Sequence, residues 1–198
     1  MKPRIAIVDY GAGNVASVRR GLDYVGAETL IARDAATLER ADGLVIPGVG
    51  HFETTAAVEA RLRDAIVTAA GRRPVLGVCV GLQFLFEGSD EAPDVPGLGL
   101  LPGRCFRLPA RVKVPHVGWN SIEIGRASLL LKEIAEGTSF YFTHSFAAPL
   151  VEACVASTQH GTDFASVVER GNVAGVQFHP EKSGHAGLQV LQNFVARC

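Results

Sequence analysis

The stretch Pro74-Val-Leu-Gly-Val-Cys79-Val-Gly81-Leu-Gln83 begins as an uninterrupted apolar run, reaches a cysteine, and passes at once into helix-forming residues. A strand that is apolar on every residue is covered on both faces, the pattern of a parallel sheet with helices on either side. A tight turn from such a strand into a helix brings chain segments together, and Gly77 and Gly81 remove the side chains that would collide there. This is the layout of a nucleophile elbow, with cysteine where hydrolases place serine. The free N–H groups at the helix start favour a thiolate and can receive an oxyanion. The segment is equally compatible with Cys79 as a small buried hydrophobe at a strand end.

Working outward, the first half repeats the same alternation. Strands are predicted over Arg4–Asp9, Glu28–Ala32, Gly43–Pro47 and Pro74–Val78. Helices are predicted over Val15–Val25, capped by Asn14, over Thr37–Ala41, over Phe52–Ala70 with a break near Ala60, and from Gly81 to Phe86. This β-α-β-α order argues for an α/β fold with a central, mostly parallel sheet flanked by helices. Asp90–Pro102, rich in Pro, Gly and Asp, reads as a loop. Shorter strands over Arg104–Leu108, Ser121–Ile124, Ser139–Thr143, Val151–Ser157, Ala165–Glu169 and Val173–Gln177 are expected to add antiparallel strands in the second half. A helix over Ala186–Ala196 closes the chain. No linker or repeat divides residues 1–198, so a single domain is expected.

Composition narrows the function classes. The chain has 198 residues, 47% hydrophobic and 20% charged, with a net charge of -1. A chain of this length buries about 70% of its unfolded surface, so neither metal nor disulfide is needed to hold a core. The basic residues are dispersed, which argues against a nucleic-acid or membrane surface. The apolar run Ile5–Val8 stops at Asp9, too short for a secretory or membrane segment, and a cytoplasmic location is expected. Cys79, Cys105, Cys154 and Cys198 are widely separated and form no CxxC pair, so neither thiolate zinc nor disulfides are expected. Only Cys79 lies between a strand and a glycine-bearing helix start.

A nucleophilic thiol needs a base within about 2.6–3.2 Å, and the base needs a third group to hold its tautomer. Val173–Phe178 leads into His179-Pro180-Glu181. His179 supplies an imidazole at a strand end, Pro180 stiffens the turn, and Glu181 can fold back onto the ring. A metal site on His179, Glu181 and His185 lacks the helical i, i+4 spacing, and no metal or cofactor is expected. A plain strand-to-helix loop is the remaining alternative.

A rival reading rests on Gly11-Ala-Gly13-Asn-Val-Ala16, which follows the first strand, opens a helix and has Asp34 about twenty residues on, as in a dinucleotide fingerprint. Asp9 and Tyr10 stand between strand and Gly11, where a carboxylate would repel a pyrophosphate, and no second mononucleotide half follows.

With these segments in place, the chain resembles the class I, triad-type glutamine amidotransferases over nearly its whole length. The resemblance is carried by Ile7–Asn14, Ile46-Pro-Gly-Val-Gly-His-Phe52, Gly77–Gln83, Gly97–Gly103, Lys113-Val-Pro-His-Val-Gly-Trp-Asn120, Phe140-Tyr-Phe-Thr-His-Ser-Phe146 and Gln177-Phe-His-Pro-Glu-Lys-Ser-Gly184. The Lys113–Asn120 and Pro180–Gly184 segments narrow it to the branch that serves histidine biosynthesis. Val80 departs from the leucine usual after the nucleophile, and its contribution is a backbone amide. The resemblance implies that Cys79 attacks L-glutamine, His179 carries the proton and Glu181 orients His179. It implies oxyanion donors at Val80 and around Val49 and Gly50, glutamine contacts at Gly48, Gly50, Gln83, Ser145 and Phe146, and no cofactor. It also implies a heterodimer with a (β/α)8-barrel cyclase, met by Asn14, Trp119, Asn120, Tyr141 and Lys182. Ammonia would pass to a nucleotide in the barrel to give imidazole glycerol phosphate and an aminoimidazole carboxamide ribotide. A glutaminase for another synthase, a partner-binding subunit without catalysis and a free-standing cysteine hydrolase remain open.

Overall fold

A computed structural model describes residues 1–58 and 60–198. In chain order the elements are β1 (Arg4–Val8), α1 (Val15–Tyr24), β2 (Glu28–Ala32), α2 (Ala35–Glu39), β3 (Gly43–Gly48), a 3₁₀ turn (Phe52–Ala57), α3 (Ala60–Ala70), β4 (Val75–Cys79) and α4 (Val80–Phe84). The second half runs β5 (Gly88–Ser89), β6 (Ala92–Pro96), β7 (Arg104–Arg107), β8 (His116–Ser121), β9 (Glu123–Ile124), β10 (Ser139–His144), β11 (Phe146–Ala147), β12 (Cys154–Gln159), β13 (Asp163–Arg170), β14 (Val173–Val176), a 3₁₀ turn (Pro180–Lys182) and α5 (Gly184–Val195).

The main sheet has the order β2-β1-β3-β4-β14-β13-β12-β9. From β2 to β14 neighbours are parallel, and from β14 outward they are antiparallel. The parallel half follows from residues that leave no polar face: every residue of β3 and β4 is buried. Two helix pairs, α1 with α5 and α2 with α3, cover it. Asn14 caps α1 by accepting the Ser17 amide. The second half adds the antiparallel pair β8–β10 and a small sheet of order β11-β7-β5-β6. No helix among the described residues is long and apolar enough to cross a membrane.

Several local expectations need correction. The stretch from Phe52 enters a 3₁₀ turn rather than an α-helix, and the expected break falls where that turn gives way to α3. The presumed loop after Asp90 holds β6, whose Pro93 and Pro96 suit an edge strand because they donate no ladder bond. The strand expected over Ser121–Ile124 is two: β8 ends at Ser121 and β9 begins at Glu123. β8 escaped notice because its apolar side chains face out, with Val117 54% and Trp119 60% exposed, while its buried position is His116.

Candidate active site

Parallel pairing of β4 with β14 aligns Gly77 with Gly175 and Val78 with Val176, so the two strands end level. Side chains at the carboxyl ends of such strands share one crevice, the usual ligand site of an open α/β sheet. Cys79 and His179 both leave the sheet there. They line one cavity of about 370 Å³, together with Asn14, Val49, Gly50, Val80, Gln83, Glu91, Ser145, Phe146 and Lys182.

Cys79 adopts φ 54° and ψ -110°, a conformation that L residues avoid. Strain of this kind costs about 1–3 kcal/mol. Burying Val75, Leu76 and Val78 contributes roughly 1.5–3 kcal/mol each, so the strand easily holds the elbow. The glycines make the turn possible. A Cβ on Gly81 would lie 1.8 Å from the Ile46 carbonyl oxygen, and one on Gly77 would lie 2.5 Å from the Gly81 carbonyl oxygen. A Cβ on Gly48 would meet the Gly81 amide nitrogen at 2.6 Å. Gly48 therefore packs beneath the elbow and does not line the cavity, although it was expected to touch the ligand. Gly50 has φ 88°, a backbone state that suits glycine as the arm after β3 turns over the cavity.

The imidazole of His179 is held from behind. Its Nδ1 lies 2.9 Å from Glu181 Oε1, and both side chains are 1% exposed. The His179 amide donates to the Tyr141 carbonyl at 2.9 Å, and Ser183 Oγ donates to the His179 carbonyl while accepting the Tyr141 amide. The turn is thus stitched to β10. Among the described residues Nε2 of His179 meets no partner at full hydrogen-bond geometry, and the Cys79 thiol is the group close enough to interact with it. Burial works against a charged ring, but hydrogen bonding and charge from Cys79, then from Glu181, outweigh it and hold the His179 pKa up at about 10.

Residues that sequence reasoning passed over complete the site. Gln177 Nε2 donates to Cys79 Sγ at 3.7 Å, and Cys79 Sγ donates to the Thr143 carbonyl at 3.8 Å. Gln83 Nε2 donates to the Phe146 carbonyl at 2.8 Å and to Gln177 Oε1 at 3.3 Å. Glu91 brings a mostly buried carboxylate to the cavity wall, where Oε2 accepts the Phe52 amide. Only spatial convergence reveals Glu91, because it lies in the stretch read as a loop. Tyr10 donates its hydroxyl to the Pro47 carbonyl at 2.8 Å, bracing the strand that carries Val49. The Gly11–Gly13 turn is no phosphate cradle. Asp9 Oδ1 accepts the Gly11 amide and Oδ2 pairs with Arg33, so a carboxylate already occupies it, and Asp34 caps α2.

Beside the cavity mouth, β8 and β10 place Trp119 opposite Tyr141, their rings edge to face at 6.2 Å. Lys182 Nζ lies 5.9 Å from the Tyr141 ring centre. Asn14 and Lys182 line the cavity, whereas Trp119, Asn120 and Tyr141 lie outside it.

His116 and His144 are buried; desolvation, reinforced by His160 at His116 and chiefly by His116 at His144, lowers their pKa values to about 4 and about 3. Both rings stay neutral in the fold, whereas in the unfolded chain a histidine protonates near 6.5. Stability from these groups is therefore present above pH 6.5 and is lost as pH falls toward 4. Each ring contributes a slope of up to about 1.4 kcal/mol per pH unit. Urea midpoints recorded between pH 7 and pH 4.5 should fall, and His116→Phe should flatten the curve.

The family profile described as "Glutamine amidotransferase class-I" matches residues 6–198. The chain is 47% identical over 193 residues to an imidazole glycerol phosphate synthase subunit HisH from Methanothermobacter thermautotrophicus, covering 96% of this chain and 97% of that one. It is 46% identical to the protein of the same name from Moorella thermoacetica, covering 98% and 94%. Among solved structures, PurLQS from Thermotoga maritima matches with TM-score 0.77 at 21% identity, covering 99% of both chains.

Proposed function

The chain belongs to the class I glutamine amidotransferases, and from that premise we propose that it is the glutaminase subunit of imidazole glycerol phosphate synthase, working in histidine biosynthesis. It hydrolyses glutamine to glutamate and ammonia and delivers the ammonia to a cyclase partner. The observation that carries the catalytic reading is the buried His179–Glu181 pair sharing a cavity with a cysteine at a strained elbow.

In this reading Cys79 Sγ attacks the side-chain amide carbon of glutamine. The carbonyl oxygen takes the negative charge and is met by the amides of Val80 and of the Val49–Gly50 arm. His179 Nε2 gives its proton to the leaving nitrogen, ammonia departs, and a thioester to Cys79 remains. Water then attacks the thioester, His179 takes the water proton, and glutamate leaves as the thiolate returns. Glu181 keeps the proton-carrying edge of His179 turned to the sulfur throughout. Gln83, Ser145 and Phe146 hold the amino-acid portion of glutamine, and the Glu91 carboxylate suits its α-ammonium.

The partner takes the form of a (β/α)8 barrel meeting Asn14, Trp119, Asn120, Tyr141 and Lys182. The exposed Trp119 beside Tyr141 gives that face the aromatic character common at interface centres. Residues 1–198 act as one domain, in the cytoplasm. The test is glutamate release with and without the cyclase and its nucleotide ligand. Strong stimulation by both supports the role in the synthase complex, and rapid turnover without any partner would place the chain among free-standing hydrolases.

A further inference from the structure

Two buried histidines lie outside the catalytic triad and yet reach its ligand-holding wall. His144 Nδ1 is 2.9 Å from the Phe146 carbonyl, His144 Nε2 is 3.1 Å from His116 Nδ1, and His116 Nε2 is 3.3 Å from Asn120 Nδ2.

Hydrogen positions along this row follow from its two ends. A carbonyl oxygen only accepts, so His144 carries its proton on Nδ1 and presents Nε2 as an acceptor. His116 must then donate from Nδ1 and accept at Nε2. At the far end the Asn120 amide is oriented independently, since Nδ2 donates to the Gln159 carbonyl at 3.0 Å and Oδ1 accepts the Ser121 amide at 2.9 Å. Nδ2 is therefore the atom that faces His116, as the chain from the other end requires. Both ends demand one direction of donation. The rings are also fixed in place: His116 stacks on His160 at 4.1 Å and on Phe142 at 5.0 Å, and His144 packs edge to face on Phe164 at 5.1 Å.

We propose that Asn120, His116 and His144 form a one-way hydrogen-bond relay that positions the Phe146 carbonyl, and through it the wall of the active site that holds glutamine. The Phe146 carbonyl is the junction, because it also accepts Gln83 Nε2, and Gln83 in turn donates to Gln177, whose amide reaches Cys79. His116 lies outside the cavity and is a positioning residue, whereas His144 also lines the cavity wall beside Ser145 and Phe146. The relay rests on the assignment of this cavity to glutamine.

The first test is ring-nitrogen NMR of the full chain near pH 7.5, which should find both His116 and His144 neutral with the proton on Nδ1. An Nε2-protonated His144, or a charged one, would overturn the relay. The second test is glutaminase kinetics at saturating cyclase. His144→Phe keeps an aromatic ring, a somewhat larger one, but loses both bonds, and KM for glutamine should rise about tenfold while kcat changes less than about threefold. His144→Asn restores an amide donor near the Nδ1 position and should recover most of that KM. His116→Phe added to His144→Phe should raise KM no further, because both act on one carbonyl. Wild-type KM in His144→Phe, with Cys79→Ala inactive, would defeat the relay alone. A Cys79→Ala variant that still turned over glutamine would defeat the site assignment itself. If His144→Phe fails to fold, the tautomer measurement on the unaltered chain still decides.

Discussion

Cys79→Ala should lower glutamine-dependent synthesis by the complex at least about 10³-fold in kcat/KM, the scale seen when a covalent nucleophile is removed. Ammonia-dependent synthesis should persist, because the cyclase reaction needs the nitrogen and not the thiol. The substitution removes one buried sulfur and leaves the backbone free to keep its strained turn, since Cβ is retained. Stability should change by only about 1 kcal/mol. Loss of activity with an unchanged unfolding midpoint therefore reports chemistry. Assays with glutamine and with ammonium salts on the same preparation read the two activities side by side. Glutamine-dependent turnover above a tenth of the wild-type rate would rule Cys79 out as the nucleophile.

Gly81→Ala should act on structure and activity together. The new methyl would lie 1.8 Å from the Ile46 carbonyl oxygen and 2.8 Å from its carbonyl carbon, both main-chain atoms of a fully buried strand. No rotamer change relieves a Cβ clash against backbone, so either β3 or α4 must move. Overpacking of this kind costs 1–3 kcal/mol when side chains can yield, and the cost here should be about 3 kcal/mol or more. β3 runs through Ile46 and Pro47 to Gly48, just before Val49 and Gly50. The displacement therefore reaches the proposed oxyanion donors, where an error of about 1 Å costs 10²-fold in rate. Gly71→Ala is the matched control, because its Cβ would meet only the Thr68 carbonyl oxygen at 3.5 Å, an ordinary contact. A lowered denaturation midpoint and at least a 10²-fold loss of glutaminase are expected for Gly81→Ala alone. Equal midpoints for the two variants would show that the elbow is not packed as described.

Legibility varied with how local each feature is. The runs at Ile5, Leu44 and Val75 announced buried parallel strands because nothing polar interrupts them. The elbow was readable because its glycines, its cysteine and its helix are neighbours in sequence. β8 and β6 were not readable, since one turns its apolar side chains outward and the other carries two prolines. Glu91, Tyr10 and the His116–His144 pair had no local signature at all. Glu91 and Tyr10 act through partners 39 and 37 positions away, and the two histidines meet across 28 positions.

Residue order alone determined the parallel half of the sheet, the sharp turn at Cys79 and the stiff His179-Pro180-Glu181 turn, because period, chain flexibility and apolar content act over a few residues. Only the tertiary structure decided that Gln177 and Cys79, 98 positions apart, meet at one sulfur, that Gly48 packs under the elbow instead of lining the cavity, and that His116 and His144 meet ring to ring at 3.1 Å. The reason is that β4 and β14 pair in parallel with their ends level, and pairing between distant strands is settled by burial of the whole sheet rather than by either segment's own preference.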